Sequence, residues 1–230
     1  MKKVLKEHEW VDLGLPSGTL WATCNVGAEK PEDYGSYFAW GETEPKDVYE
    51  WEMYKYCKNT DDKTSQRFEE CRLENFGDSS KILTKYNSKS EYGTIDDKTE
   101  LDLEDDAAFV NWGEDWRMPT IVQLDELTDE RCTIPRWTTR ESVNGLLITS
   151  RSNGNSIFLP AAGCRTDLTI FRAGLICYYW SRTFYLDGPH SRFRQYAFGG
   201  NAWSLVSIED EDHLLCYPRC YGLSVRPVRC

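Results

Sequence analysis

Lysine is absent from the last 132 residues: all twelve lysines lie at or before Lys98, and beyond it arginine carries the positive charge. Protein interfaces favour Arg and disfavour Lys, so the second half leans towards a binding surface. Positive charge is also short overall. The net charge is −11, the opposite of what phosphate contacts demand, and this argues against nucleic acid as a partner. No apolar run approaches bilayer-spanning length, so no membrane insertion is expected. The nine cysteines contain no C-x-x-C pair, and a disulfide-stapled scaffold is normally shorter and denser in Cys. Most are read as free thiols, several of them acting as small buried hydrophobes. No nucleophile elbow or phosphate loop is present. The opening MKKVLKEHEW is basic but has no apolar stretch after it, so no secretory signal is expected there. Carriage on a phage virion or display on a cell surface by another route are the placements considered. There is no internal repeat and no low-complexity linker, and the expectation is a single domain over 1–230.

Hydrophobic residues make up 40% and charged residues 28%, enough for a globular chain with a large core. Trp10 to Leu15 and Thr19 to Val26 read as short strands around a Pro16-Ser17-Gly18 turn. Residues 42–100 are polar and charge-rich, and are expected to form a surface insertion with partial order. Two helices are predicted next. One spans Asp102 to Val110, with acids in its first turn. The other follows Pro119, where Thr120 and Gln123 have capping-box spacing and Ile121, Leu124 and Leu127 share a face. Strands are then predicted at Val143 to Thr149, Ser156 to Pro160, Tyr178 to Thr183, Gln195 to Phe198, Ala202 to Ile208 and Leu223 to Val228. Two helices followed by many short strands imply an α+β fold with a mainly antiparallel, strand-rich carboxy-terminal half.

Six strings occur in order: VDLGLPSGTLWATCNVGA (11–28), YGSYFAWGE (34–42), WRMPT (116–120), NGNSIFLPAAGCR (153–165), YYWSRT (178–183) and GLSVRPVR (222–229). Together they resemble the Fibrobacter succinogenes major paralogous domain, common in gut Bacteroidetes. The resemblance runs from about residue 10 to the end and implies a C-type-lectin-like fold. It further implies kinship with the variable proteins of diversity-generating retroelements, in which such a scaffold displays a hypervariable carboxy-terminal surface. Fold alone carries no function. The strings make physical sense as scaffold: Trp116 is large and Arg117 can fork to backbone carbonyls or carboxylates, so WRMP suits a rigid corner, and SIFLP reads as a buried strand.

Residues 177–221 differ from the scaffold strings, with eleven aromatics and four arginines in 45 positions. Aromatics and Arg anchor binding hot spots. Strand packing accounts for Tyr178, Tyr179, Trp180, Tyr196, Phe198 and Trp203, and accounts poorly for Leu214 to Pro218. The expected ligand-binding residues are Phe184, Tyr185, Leu186, His190, Arg192, Arg194, Leu214, Leu215, Tyr217 and Tyr221, on one exposed face. The resemblance implies a stretch rich in Asn here, whereas this chain has only Asn201. Adenine-directed mutation of an Asn codon reaches Tyr, Phe, Leu, Cys, His, Arg and Pro, but never Lys, Trp, Met, Gln or Glu. Phe184 to Leu186, Leu214 to Pro218, Cys220 and Tyr221 all belong to the reachable set. The expected function is therefore a non-enzymatic adhesin or receptor-recognition module for a protein or glycan ligand on a bacterial surface.

Other chemistry is weaker. His213, Cys216 and Cys220 offer soft ligands for zinc at a non-standard spacing interrupted by Pro218. Glu209 to Asp212 supply carboxylates for calcium, but four neighbouring acids usually form a solvated turn. Cys216 and Cys220 also invite comparison with the copper-binding pair of formylglycine-generating enzymes, which share the broad fold. An oxidoreductase of that kind, or a metal-dependent enzyme, is the alternative function. His190 and His213 are the candidate bases for hydrolysis. The expectation is no catalytic residue, no metal and no cofactor.

Overall fold

The computed structural model describes residues 8–59, 81–88, 90, 93–184, 200–209 and 211–229. The strand expected at Gln195 to Phe198 lies outside them. The described residues form two α-helices among antiparallel strands, with strand predominating.

The chain closes on itself. β1 (Trp10–Asp12), β2 (Leu20–Ala22) and β13 (Val228–Arg229) share a sheet in the order β1-β2-β13, with Val228 opposite Trp21. Arg117 joins this closure, exchanging both backbone hydrogen bonds with Val228. Its guanidinium donates to the carbonyls of Glu114 and Trp116 at 2.7 and 2.6 Å and lies 4.4 Å from the Phe109 ring centroid, which makes WRMP the rigid corner its composition suggested.

The acids expected inside the first helix lie ahead of it. Leu103–Asp105 is a single 3-10 turn, and α1 runs Ala107–Trp112. Asp106 is its N-cap, accepting from the amides of Ala108 and Phe109, because a carboxylate there satisfies donors the helix cannot. α2 (Ile121–Thr128) starts with the complete Thr120–Gln123 capping box and buries Leu124 and Leu127.

Two three-stranded sheets carry the rest of the frame. β5 (Thr133–Arg140), β6 (Val143–Ser150) and β7 (Ser156–Pro160) pair in sequence order. Residues 157–160 of β7 are all buried, as a strand covered on both faces requires. β10 (Cys177–Phe184), β11 (Asn201–Ile208) and β12 (Glu211–Pro218) form the other sheet. β5 and β12 contain Pro135 and Pro218 and sit at sheet edges, where a missing N–H is tolerated.

The β10-β11-β12 sheet separates two clusters of buried side chains. Tyr178, Trp180, Phe184, Ala202 and Val206 belong to an aromatic cluster with Phe38, Trp40, Tyr49, Tyr54 and Tyr86. Cys177, Tyr179 and Leu205 face an aliphatic cluster with Leu124, Leu127, Leu146 and Ile148. The segment 42–100 departs from expectation within its described part. A short pair, β3 (Cys57–Asn59) with β4 (Lys81–Leu83), lies there. Tyr49, Trp51, Tyr54, Tyr56, Leu83 and Tyr86 are core residues. The polar text around them concealed aromatics that bury far more area than their number suggests.

Two arginines are wholly buried with carbonyl partners. Arg226 donates to Asn25 Oδ1, the Ala22 carbonyl and the Phe158 carbonyl, each at 2.9 Å. Arg219 donates to the Tyr86 carbonyl at 3.1 Å and lies 5.3–5.7 Å from the ring centroids of Phe184, Trp40 and Tyr54. Burial pushes both guanidinium pKa values down. Arg219 is thus a core cation held by ring faces and carbonyls, and its position in the aromatic-rich segment does not make it a surface contact.

A tyrosine-lined cleft as candidate functional site

The cleft is framed by a hairpin. β8 (Cys164–Thr166) pairs with β9 (Thr169–Phe171) across a two-residue turn at Asp167 and Leu168. Asp167 has φ +53°, the left-handed value such turns need and one that Asp tolerates. The hairpin is fastened twice. Arg165 exchanges backbone hydrogen bonds of 2.7 and 2.9 Å with Gly222, and Asp167 exchanges two of 3.0 Å with Tyr49. Side-chain alternation then sets Arg165 opposite to Cys164 and Thr166. The Arg165 guanidinium lies 5.6 Å from the Tyr49 ring centroid, while Cys164 and Thr166 line the cleft. Gly163, at φ +68°, allows the return of the chain, since a Cβ there would come within 2.3 Å of the Phe171 carbonyl oxygen.

The cleft has a volume of about 520 Å³ and is lined by Cys164, Thr166, Phe171, Arg172, Ile176, Tyr178, Tyr217 and Tyr221. This lies within the usual size range of small-ligand sites. Cys164, Ile176 and Tyr178 are buried and form the floor; Tyr217 and Tyr221 are half-buried, and Phe171 is 49% exposed. The rings of Tyr178 and Tyr217 meet edge to face at 5.1 Å. Burial raises the Tyr178 and Tyr221 phenol pKa values and pushes the Cys164 thiol up to about 11. All three groups are neutral near pH 7, so the floor presents hydroxyls and a thiol and no nucleophilic anion.

The expected binding residues divide. Tyr217 and Tyr221 line the cleft together. Leu215 packs on the aromatic side of β12 with Tyr217, whereas Leu214 packs on the aliphatic side. The two leucines are consecutive in a strand, so they cannot share a face. Phe184 needs correction: it is 1% exposed, against Trp40 and the Arg219 cage. Its neighbours Tyr185, Leu186, His190, Arg192 and Arg194 lie outside the described residues. Phe171 and Arg172 were missed. Their signal was the run Leu168, Ile170, Phe171 and Leu175, with exposures of 64, 49, 49 and 61%. That concentration of exposed apolar side chains in eight positions is unusual without a partner.

The other chemistry does not assemble among the described residues. His213 and Cys216 project from opposite faces of β12, because they are three positions apart in a strand of period two. His213 instead bonds Glu211 at 2.9 Å. Cys220 is a free thiol, 1% exposed in the aromatic cluster. Glu209, Glu211 and Asp212 stand at the β11–β12 turn and line a second cleft of about 550 Å³ with Glu130, Arg136 and Trp137. Among the described residues, the ligand-type side chains that converge are Asp102, Glu104 and Asp105. The Lys85 ammonium lies 2.6, 3.6 and 2.5 Å from their oxygens, in the place a metal cation would take. No helix of the described residues is long and apolar enough to cross a membrane.

No protein-family model matches the chain, and neither a curated protein nor a solved structure does.

Proposed function

We propose that the protein is a non-enzymatic binding module on a C-type-lectin-like fold, and that it takes a ligand from a bacterial surface in the cleft between β8–β9 and β12. The observation that carries this is the cleft itself: an open cavity lined by three tyrosines, a phenylalanine and an arginine, beside an exposed apolar hairpin. These are the residue types that dominate binding hot spots. The fold reading draws support from the six sequence strings, from the two helices among antiparallel strands, and from the closure of β13 onto β2. Tyr217 and Tyr221 both belong to the set reachable from Asn codons by adenine-directed mutation. Diversification by a retroelement would therefore rewrite one side of the cleft and leave the hairpin side constant.

Fluorescently labelled protein applied to a panel of gut bacterial cells tests the reading. Saturable binding to some strains and not others is expected, and periodate or protease treatment of the cells then separates glycan from protein ligands. Uniform, non-saturable adhesion across the panel would contradict it. Sequencing the locus tests the diversification claim, which predicts a reverse transcriptase and a near-copy of the 3′ end of the gene.

A further inference from the structure

We infer that the occupant of the cleft is an anionic sugar: a pyranose carrying a carboxylate, of the uronic-acid class. The inference rests on the reading of this cleft as the ligand site and adds the charge and shape of what it takes.

Charge comes first. The chain carries −11, and the cleft at the β11–β12 turn is lined by four carboxylates, Glu130, Glu209, Glu211 and Asp212, against one arginine, Arg136. The tyrosine cleft has no carboxylate among its lining residues, and Arg172 is its one formally charged member. Arg172 is also unlike most of the described arginines, Arg136 in the acid-lined cleft being the other with neither a carboxylate nor a carbonyl partner among the described residues. Arg131, Arg140, Arg182 and Arg229 face carboxylates, while Arg117, Arg151, Arg219 and Arg226 donate to backbone carbonyls. The Arg172 side chain has neither kind of partner among the described residues; it lies 4.9 Å from the Phe171 ring centroid with its N–H donors open to solvent. A guanidinium offers a planar fork that a carboxylate matches with two parallel hydrogen bonds.

Backbone geometry points the same way. Arg172 has φ +57°, a left-handed conformation that glycine adopts without cost and a long side chain does not. Its charge reaches the floor of the cleft. Burial raises the pKa values of Cys164 and Tyr178, and Arg172 draws each partly back.

Shape follows from the rest of the lining. Phe171, Tyr217 and Tyr221 offer ring surface, to which the C–H face of a pyranose is complementary, and the phenols and Thr166 offer hydroxyls for its O–H groups. A fatty-acid chain would call for an enclosed apolar tunnel, whereas this cleft is open and bears hydroxyls on its floor and sides.

The test uses methyl β-D-glucuronide and methyl β-D-glucoside, which share a ring and differ at the carboxylate, with benzoate as a third probe. Titration calorimetry on the full chain is expected to show the glucuronide binding about tenfold or more tighter than the glucoside, as a charge-assisted pair implies. Arg172→Gln should abolish that preference. Tyr217→Phe, which keeps the ring, should retain the preference, and circular dichroism should report an unchanged fold for both variants. Equal affinities in the unmodified protein, a preference that survives Arg172→Gln, or no binding of the glucuronide overturns the inference. Benzoate binding as tightly as the glucuronide overturns the sugar class. If these arms fail while cells still bind through Phe171 and Tyr217, the cleft remains the ligand site and only its assigned occupant falls.

Discussion

Gly222→Ala perturbs the cleft without touching its lining. A Cβ at position 222 would lie 2.5, 2.8 and 2.8 Å from three carbons of the Tyr49 ring. Gly222 is not in the left-handed region, so alanine adds no backbone strain there, and the cost is the collision alone. Tyr49 has little room to yield. It is 1% exposed, its hydroxyl donates to the Tyr37 carbonyl at 2.6 Å, and its backbone is bonded to Asp167. Overpacking of this kind costs about 1–3 kcal/mol, which for a chain of this size lowers Tm by about 2–12 °C. Because Gly222 and Tyr49 are also the two anchors of the β8–β9 hairpin, the strain is delivered to one side of the cleft. Urea denaturation of four proteins, the parent, Gly222→Ala, Tyr49→Ala and the double variant, measures it. Removing the ring removes the collision, so Gly222→Ala should cost close to nothing in the Tyr49→Ala background, with a coupling of about 1 kcal/mol or more. An equal loss in both backgrounds, or none in either, would refute the packing argument.

Phe158 is 1% exposed at the centre of β7, and Phe158→Ala should cost about 3–5 kcal/mol by the same denaturation assay. Thr120→Ala removes one half of the capping box on α2 and should cost about 0.5–2 kcal/mol. Asp105 has a carboxyl pKa of about 2: burial would raise it, and hydrogen bonds from Lys85, Tyr56, Tyr86 and Lys55 more than offset that. Its folded value lies below its unfolded one, so its stabilising contribution is whole above about pH 4 and is lost as pH falls through 2. In Asp105→Asn the acid-side decline in stability between pH 4 and 2 should shrink by roughly 2 kcal/mol, read from urea melts across that range.

Local signals were legible where local physics decides. The Thr120–Gln123 pair announced α2, and the apolar run 157–160 announced a strand covered on both faces. Elements decided by long-range pairing were not legible. β12 contains two acids, a histidine and a proline, and reads as a loop; it is a strand because β11 supplies a partner and the sheet edge forgives Pro218. Phe184 looked like a surface anchor because its sequence neighbours are loop-like, yet Arg219, 35 positions later, closes over its ring. The cleft was half legible for the same reason. Tyr217 and Tyr221 stood out by composition, whereas Phe171 and Arg172 are brought opposite them only by the pairing of Arg165 with Gly222.

Cell binding by a cleft variant tests the central claim most directly. Phe171→Ala combined with Tyr217→Ala removes ring surface from both sides of the cleft. Met53→Ala combined with Val122→Ala, at side chains 59 and 72% exposed and absent from that lining, is the control. Flow cytometry on strains that bind the parent protein should show a loss of about tenfold or more for the cleft pair, consistent with truncating hot-spot aromatics, and parent-like binding for the control pair. A folded cleft variant that binds those cells as tightly as the parent would place the ligand elsewhere and contradict the account.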